Sequence, residues 1–146
     1  MSSKAEQIAQ AFVALATSPA LAAIPAARVF RDINRAMATS ELPAMAIEMG
    51  NETAPARNLI QHEDRALSIH VHVLSGAVAS DASPYTSGDA ALVEFHARVL
   101  ADLTLGGLAL DVREGETLRN REMVGDDLAQ VRKTYNVEYR TAVGTL

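Results

Sequence analysis

The 146-residue chain contains no cysteine and no tryptophan, and aromatic residues make up only 4% of it. Without cysteine there is no disulfide, no thiolate metal site and no cysteine nucleophile. Three tyrosines and three phenylalanines are too few rings for the base-stacking platforms of single-strand binders or for aromatic strips that grip sugars. Basic charge is also short. Thirteen Lys and Arg stand against eighteen Asp and Glu, a formal charge of -5, which argues against a grip on the phosphate backbone of nucleic acid. No apolar run approaches the ~20 residues a membrane span needs. The opening residues, with Lys4 and Glu6, make a poor start for a signal peptide, and a reducing cytoplasm is the expected compartment.

Hydrophobic residues make up 49% of the chain and charged residues 21%, which places it among ordinary globular proteins rather than disordered ones. At this length a single domain, residues 1–146, buries a real core without staples. Ser3 and Glu6 fit a capping box that opens a helix over residues 4–17, with Ile8, Phe12 and Leu15 as its apolar stripe. Ser18-Pro19 ends it, because the residue before proline avoids the helical region. Residues 29–32 read as a short strand and 43–49 as a second, with Gly50-Asn51 as a turn. Residues 57–62 and 65–75 read as two strands joined at Glu63-Asp64. The second of these alternates cleanly, with Leu67, Ile69, Val71 and Val73 inward and Ser68, His70 and His72 outward.

Residues 75–87 read as a small-residue loop. Thr86 or Ser87 with Asp89 then opens a helix to about Leu103, its core stripe being Leu92, Phe95, Val99 and Leu103, with Gly106-Gly107 as a C-cap. Leu108, Leu110 and Val112 alternate as a strand, Glu114-Gly115-Glu116 turns the chain, and 117–124 is a polar strand that turns at Gly125-Asp126. The final strand places Tyr135, Val137, Tyr139, Thr141 and Val143 on one face and Asn136, Glu138 and Arg140 on the other. A long closing strand with one charged face suits a subunit that offers a sheet face or edge to its neighbours. The expected class is α+β: a mixed, mainly antiparallel sheet with helices packed on one side.

The sharpest chemical pattern is His70-Val71-His72, two imidazoles on one strand face. With His62 or Asp64 as a third ligand they would suit zinc or iron in a small metal-binding enzyme or module. The plainer reading is a solvent-facing polar row, made pH-sensitive if a subunit contact covers it. His96, with Asp102 off its face, reads as a satisfied helix histidine. No Gly-x-Ser-x-Gly nucleophile elbow occurs, and Gly106-Gly107 follows a helix rather than opening one, unlike a phosphate loop. Glu114 with Glu116, and Asp126 with Asp127, read as solvated turn acids rather than calcium ligands. Arg113, Arg119 and Arg121 would line one side of the polar strand as charge guarding an edge. These residues give no catalytic, cofactor-binding or metal site and no cofactor.

Four segments, in this order, resemble the tail terminator (tail-completion, minor tail protein U-like) proteins of long-tailed bacteriophages. They are residues 42–52, with a strand entered through Pro43; the strictly alternating 65–73; the helix 90–103 leading into Leu105 to Leu110; and Tyr135-Asn-Val-Glu-Tyr-Arg-Thr141. The alanine-rich residues 16–27 depart from the family's pattern. The resemblance implies a subunit without enzymatic activity, made in the host bacterial cytoplasm and carried in the virion tail. It implies a homo-oligomeric ring, a hexamer, at the head-proximal end of the tail tube. There it stops tube polymerisation and offers the docking surface for the head-tail connector protein. DNA passes through the lumen without specific binding, and no membrane is involved. Residues 117–124 and the loop 75–87 are the candidate ring contacts, made head to tail between unlike patches.

Overall fold

The computed structural model describes residues 1–33, 35–53, 56–59, 61–76, 83–122 and 128–145, with backbone alone at 56–59 and at Glu122. The architecture is α+β: two helices lie on one face of a six-stranded mixed sheet. Its elements are α1 (Lys4–Thr17), β1 (Val29–Arg31), β2 (Ala44–Glu52), β3 (Ala56–Leu59), β4 (His62–Gly76), α2 (Thr86–Ala101), β5 (Asp111–Glu122) and β6 (Leu128–Ala142). Strand order is β1-β2-β4-β6-β5, with β3 also pairing β4; only β1 and β2 are parallel. Among the described residues no helix is long and apolar enough to cross a membrane.

Helix α1 begins where the sequence places it. The Ser3 hydroxyl accepts from the Glu6 amide at 3.2 Å. Only that half of the capping box is formed, because the Glu6 carboxylate turns to Gln10 and Arg31 instead. Ile8, Ala9, Phe12 and Ala16 are buried, and Leu15 flanks them. Phe12, Phe95 and Tyr135 form one aromatic cluster with centroids 5.5–6.3 Å apart, joining α1, α2 and β6, a spacing at which ring quadrupoles attract. The inward row Leu67, Ile69, Val71 and Val73 meets this cluster, and helix lies on sheet as expected.

Helix α2 differs in detail. Ala91, Phe95 and Val99 make its core stripe, Leu92 is half-buried, and Leu103, expected inside, is 39% exposed beyond the helix end. Thr86 is already helical, and Tyr85 caps without a side-chain bond. The helix stops at Ala101, so Gly106-Gly107 is not its cap. The Asp102 carboxylate instead accepts from the amides of Thr104 (2.9 Å) and Gly106 (2.7 Å), organising a turn in which Leu105, Gly106 and Gly107 all have positive φ. Arg98 ties the two helices together, donating to the carbonyls of Leu15 and Pro19 at the α1 exit.

Three expected turns are strand. Gly50-Asn51 continues β2 through a bulge between Met49 and Glu52. Glu63-Asp64 lies inside β4, paired with Arg57 and Ala56 of β3. Glu114-Gly115-Glu116 is a bulge inside one long β5, not a junction of two strands. At Leu108 and Leu110 there is no strand, since β5 starts at Asp111. β6 is interior rather than an edge, paired along its whole length with β4 and along much of it with β5. Tyr135, Val137, Tyr139 and Thr141 are buried as expected, while Val143 lies exposed beyond the strand.

Candidate functional site

Among the described residues the two helices cover one sheet face, and strand side chains remain available on the other. Cross-strand pairing puts Glu48, His70 and Thr134 in one row and Ala46, His72 and Arg132 in the next. The histidine row is not solvent-facing as expected. His72 is 8% exposed, with Nε2 2.8 Å from Glu48 Oε2 and Nδ1 2.8 Å from the Gln130 amide nitrogen. With the Gln130 amide donating to Nδ1, it is Nε2–H that donates to Glu48. His70 Nδ1 meets the hydroxyl of buried Thr134 at 2.9 Å, and its ring covers Gly50. A Cβ at Gly50 would lie 2.4 Å from His70 Nε2, so the glycine makes room for the ring. Burial first, then Arg132 and His72, holds the His70 pKa below its ordinary value, against the pull of Glu48 and Glu116.

This geometry does not assemble the metal site. His62 and Asp64 lie on β4 itself, not on a neighbouring strand. At 3.4 Å per residue His62 is roughly 27 Å and Asp64 roughly 20 Å from His70. Asp64 is also engaged with Arg140 at 2.6 and 3.1 Å, which holds its carboxyl below the usual range. Among the described residues no three His, Asp or Glu side chains converge to hold an ion.

The helix side holds a second polar group. His96 Nδ1 is 2.8 Å from the Tyr135 hydroxyl and its Nε2 is 2.8 Å from Glu114 Oε1; Lys133 Nζ reaches the other Glu114 oxygen at 3.1 Å. Burial, with Glu114 beside it, pushes the Tyr135 phenol well above its ordinary pKa. Both nitrogens of His96 are committed, so this imidazole has no lone pair left to act as a base on a bound molecule. His96 is the satisfied histidine the sequence suggests, and Asp102 takes no part in it.

The remaining candidates separate. Glu114 lies on the helix side and Glu116 pairs with Arg132 on the open side, so they do not chelate together. Pairing puts Arg113 opposite Asn136 and Arg119 opposite Val131, on different faces, because the bulge between them inverts the alternation. Asp126, Asp127 and Val124 lie outside the described residues, as do 77–82 of the expected loop 75–87. Ser75, expected in that loop, is buried at the end of β4 and donates to the Pro84 carbonyl at 2.6 Å. One polar constellation had no sequence signal: Arg65 between Glu52 and Glu63, with the Tyr139 hydroxyl on Glu52. Only strand register brings these residues together.

What the surface offers is a broad, half-interlocked sheet face and a long edge strand, β5. No family model matches the chain, and no curated protein matches it. Among solved structures it is similar to a chain of the virion of a native gene transfer agent (GTA) particle. That likeness has a TM-score of 0.47 and 11% identity, covering 94% of this chain and 92% of that one.

Proposed function

We propose that the chain is the ring-forming subunit of a phage or prophage tail terminator, a structural protein with no enzymatic role. The observation that carries this reading is where the four family-like segments fall. Residues 42–52 become β2, 65–73 the middle of β4, 90–103 most of α2 with its exit, and 135–141 the C-terminal half of β6. Three of them are consecutive strands in the order β2-β4-β6, and the fourth is the helix packed on β4. They form one continuous unit rather than four scattered pieces.

A subunit of this design works by geometry. Ring closure repeats two unlike patches around an axis. The ring's tube side mimics a tube subunit, its far side refuses another tube ring and receives the head connector. An excess of five negative charges per copy, multiplied around the ring, repels passing DNA. Size-exclusion chromatography with light scattering, then electron microscopy of the protein mixed with its tail tube protein, tests the reading. Closed rings that cap tubes and limit their length are expected. A species that forms no ring and neither caps nor shortens tubes overturns it.

A further inference from the structure

Helix α2 carries two stripes. One, Ala91, Phe95 and Val99, is buried on the sheet. The other, Ala90, Val93, Ala97 and Leu100, faces outward: Val93 is 62% and Leu100 46% exposed, and both alanines are exposed. Its spacing of three, four and three residues is that of a helix-packing seam. Among the described residues nothing covers it, and although single exposed apolar residues are ordinary, a seam of four in register is not.

The order of sizes along the seam says what fits it. Read forward it is small, large, small, large. A second copy of the same helix laid antiparallel presents large, small, large, small, so each layer sets one large side chain against one alanine. Parallel pairing would stack alanine on alanine and leucine on leucine, leaving voids at the small layers. Asp89, Glu94 and His96 flank the seam, and Asp89 lies exposed at its N-terminal rim. Glu94 is bonded to Arg98 at 2.5 Å and to the Ala22 amide at 2.9 Å, and His96 is held by Tyr135 and Glu114. Glu94 and His96 keep these partners when the seam is covered, and Asp89 stays at its rim.

We propose that α2 docks antiparallel on α2 of a second copy of this chain across a two-fold axis, Ala90 against Leu100 and Val93 against Ala97. A helix of this length is about 24 Å long, so the contact covers on the order of 400 Å² per copy. That is below a standard-size interface, and the pairing is concentration-dependent. It is isologous, unlike the head-to-tail contacts of a ring, and does not rest on the ring reading.

The absence of cysteine makes the test clean. Residues 90 and 100 are about 15 Å apart along one helix, too far for a disulfide, which needs Cα atoms within about 7 Å. In an antiparallel pair each residue lies about 15 Å from its own copy as well. Under oxidation, an equal mixture of the single variants Ala90→Cys and Leu100→Cys is expected to form disulfide-linked dimers. So is the double variant, whereas each single variant alone stays unlinked. Adding Val93→Glu, an exposed change the fold tolerates, abolishes the link. Single variants that link as readily as the mixture overturn the antiparallel pairing. A mixture that never links, at any protein concentration, shows that the seam takes something other than a second copy, whatever rings the protein forms.

Discussion

Gly88 sits in the first turn of α2 directly above β4, and replacing it with alanine sets two known effects against each other. Helix propensity favours Gly88→Ala by up to about 1 kcal/mol, since glycine loses more backbone freedom on ordering. Packing opposes it. The new Cβ would lie 2.8 Å from Val73 Cγ1, 3.0 Å from Ser75 Oγ and 3.2 Å from Ser75 Cβ. None of these neighbours gives way easily: both residues are buried in a central strand, and the Ser75 hydroxyl is held by the Pro84 carbonyl. Overfilling a tight site costs roughly 1–3 kcal/mol. Packing wins at 2.8 Å, and Gly88→Ala is expected to destabilise by about 1–2 kcal/mol. Urea unfolding followed by circular dichroism gives the number. Val73→Ala removes the closest atom, so the double variant should be more stable than the sum of the two singles predicts, by about 0.5–3 kcal/mol of coupling. A Gly88→Ala protein as stable as the parent, or strict additivity with Val73→Ala, refutes the close approach of α2 to β4.

Phe95→Ala empties the centre of the aromatic cluster, where Phe95 is fully buried against Phe12 and Tyr135; a loss of roughly 3–5 kcal/mol is expected in the same urea assay, and under about 1 kcal/mol would place the helix elsewhere. His70 gives a pH signature. Its folded-state pKa is depressed, so the unfolded chain binds more protons, and stability falls as pH drops from the ordinary histidine value toward the folded one. His70→Asn should flatten that slope between about pH 7.5 and 5.5, and an unchanged slope would assign it to other groups.

The parts of the fold legible in the sequence are those where burial writes a period. Ser3, the Ile8/Phe12 spacing and Pro19 bound α1 between them, and Leu67, Ile69, Val71 and Val73 mark β4, because each row has a core to face. Two kinds of segment hide their strands. Glu63-Asp64 lies where a 15-residue strand begins, with Glu63 and Arg65 ion-paired on the inward face and Asp64 bonded to Arg140 on the other, so nothing apolar marks it as strand. Gly50 and Gly115 look like turn residues but are bulge residues. At Gly115 a Cβ would press within 3.1 Å of the Thr134 carbonyl, so the glycine serves close strand approach. The histidine row was visible as a row, but its burial was not. His72 is covered by Glu48 from β2 and Gln130 from β6, and that cover depends on a register across three strands.

The strand order also sets a timetable. β5 is the fifth strand to leave the ribosome, but among the described residues it pairs only with β6, the sixth, which sits between it and β4. Until residues 128–142 emerge, β4 has one flank open and β5 has no partner at all. An unpaired twelve-residue strand is a hazard, since it invites pairing with other nascent chains. β5 is built to wait: Arg113, Glu114, Glu116, Arg119 and Arg121 crowd it with charge, and the kink at Gly115 denies a straight template to any strand but its own.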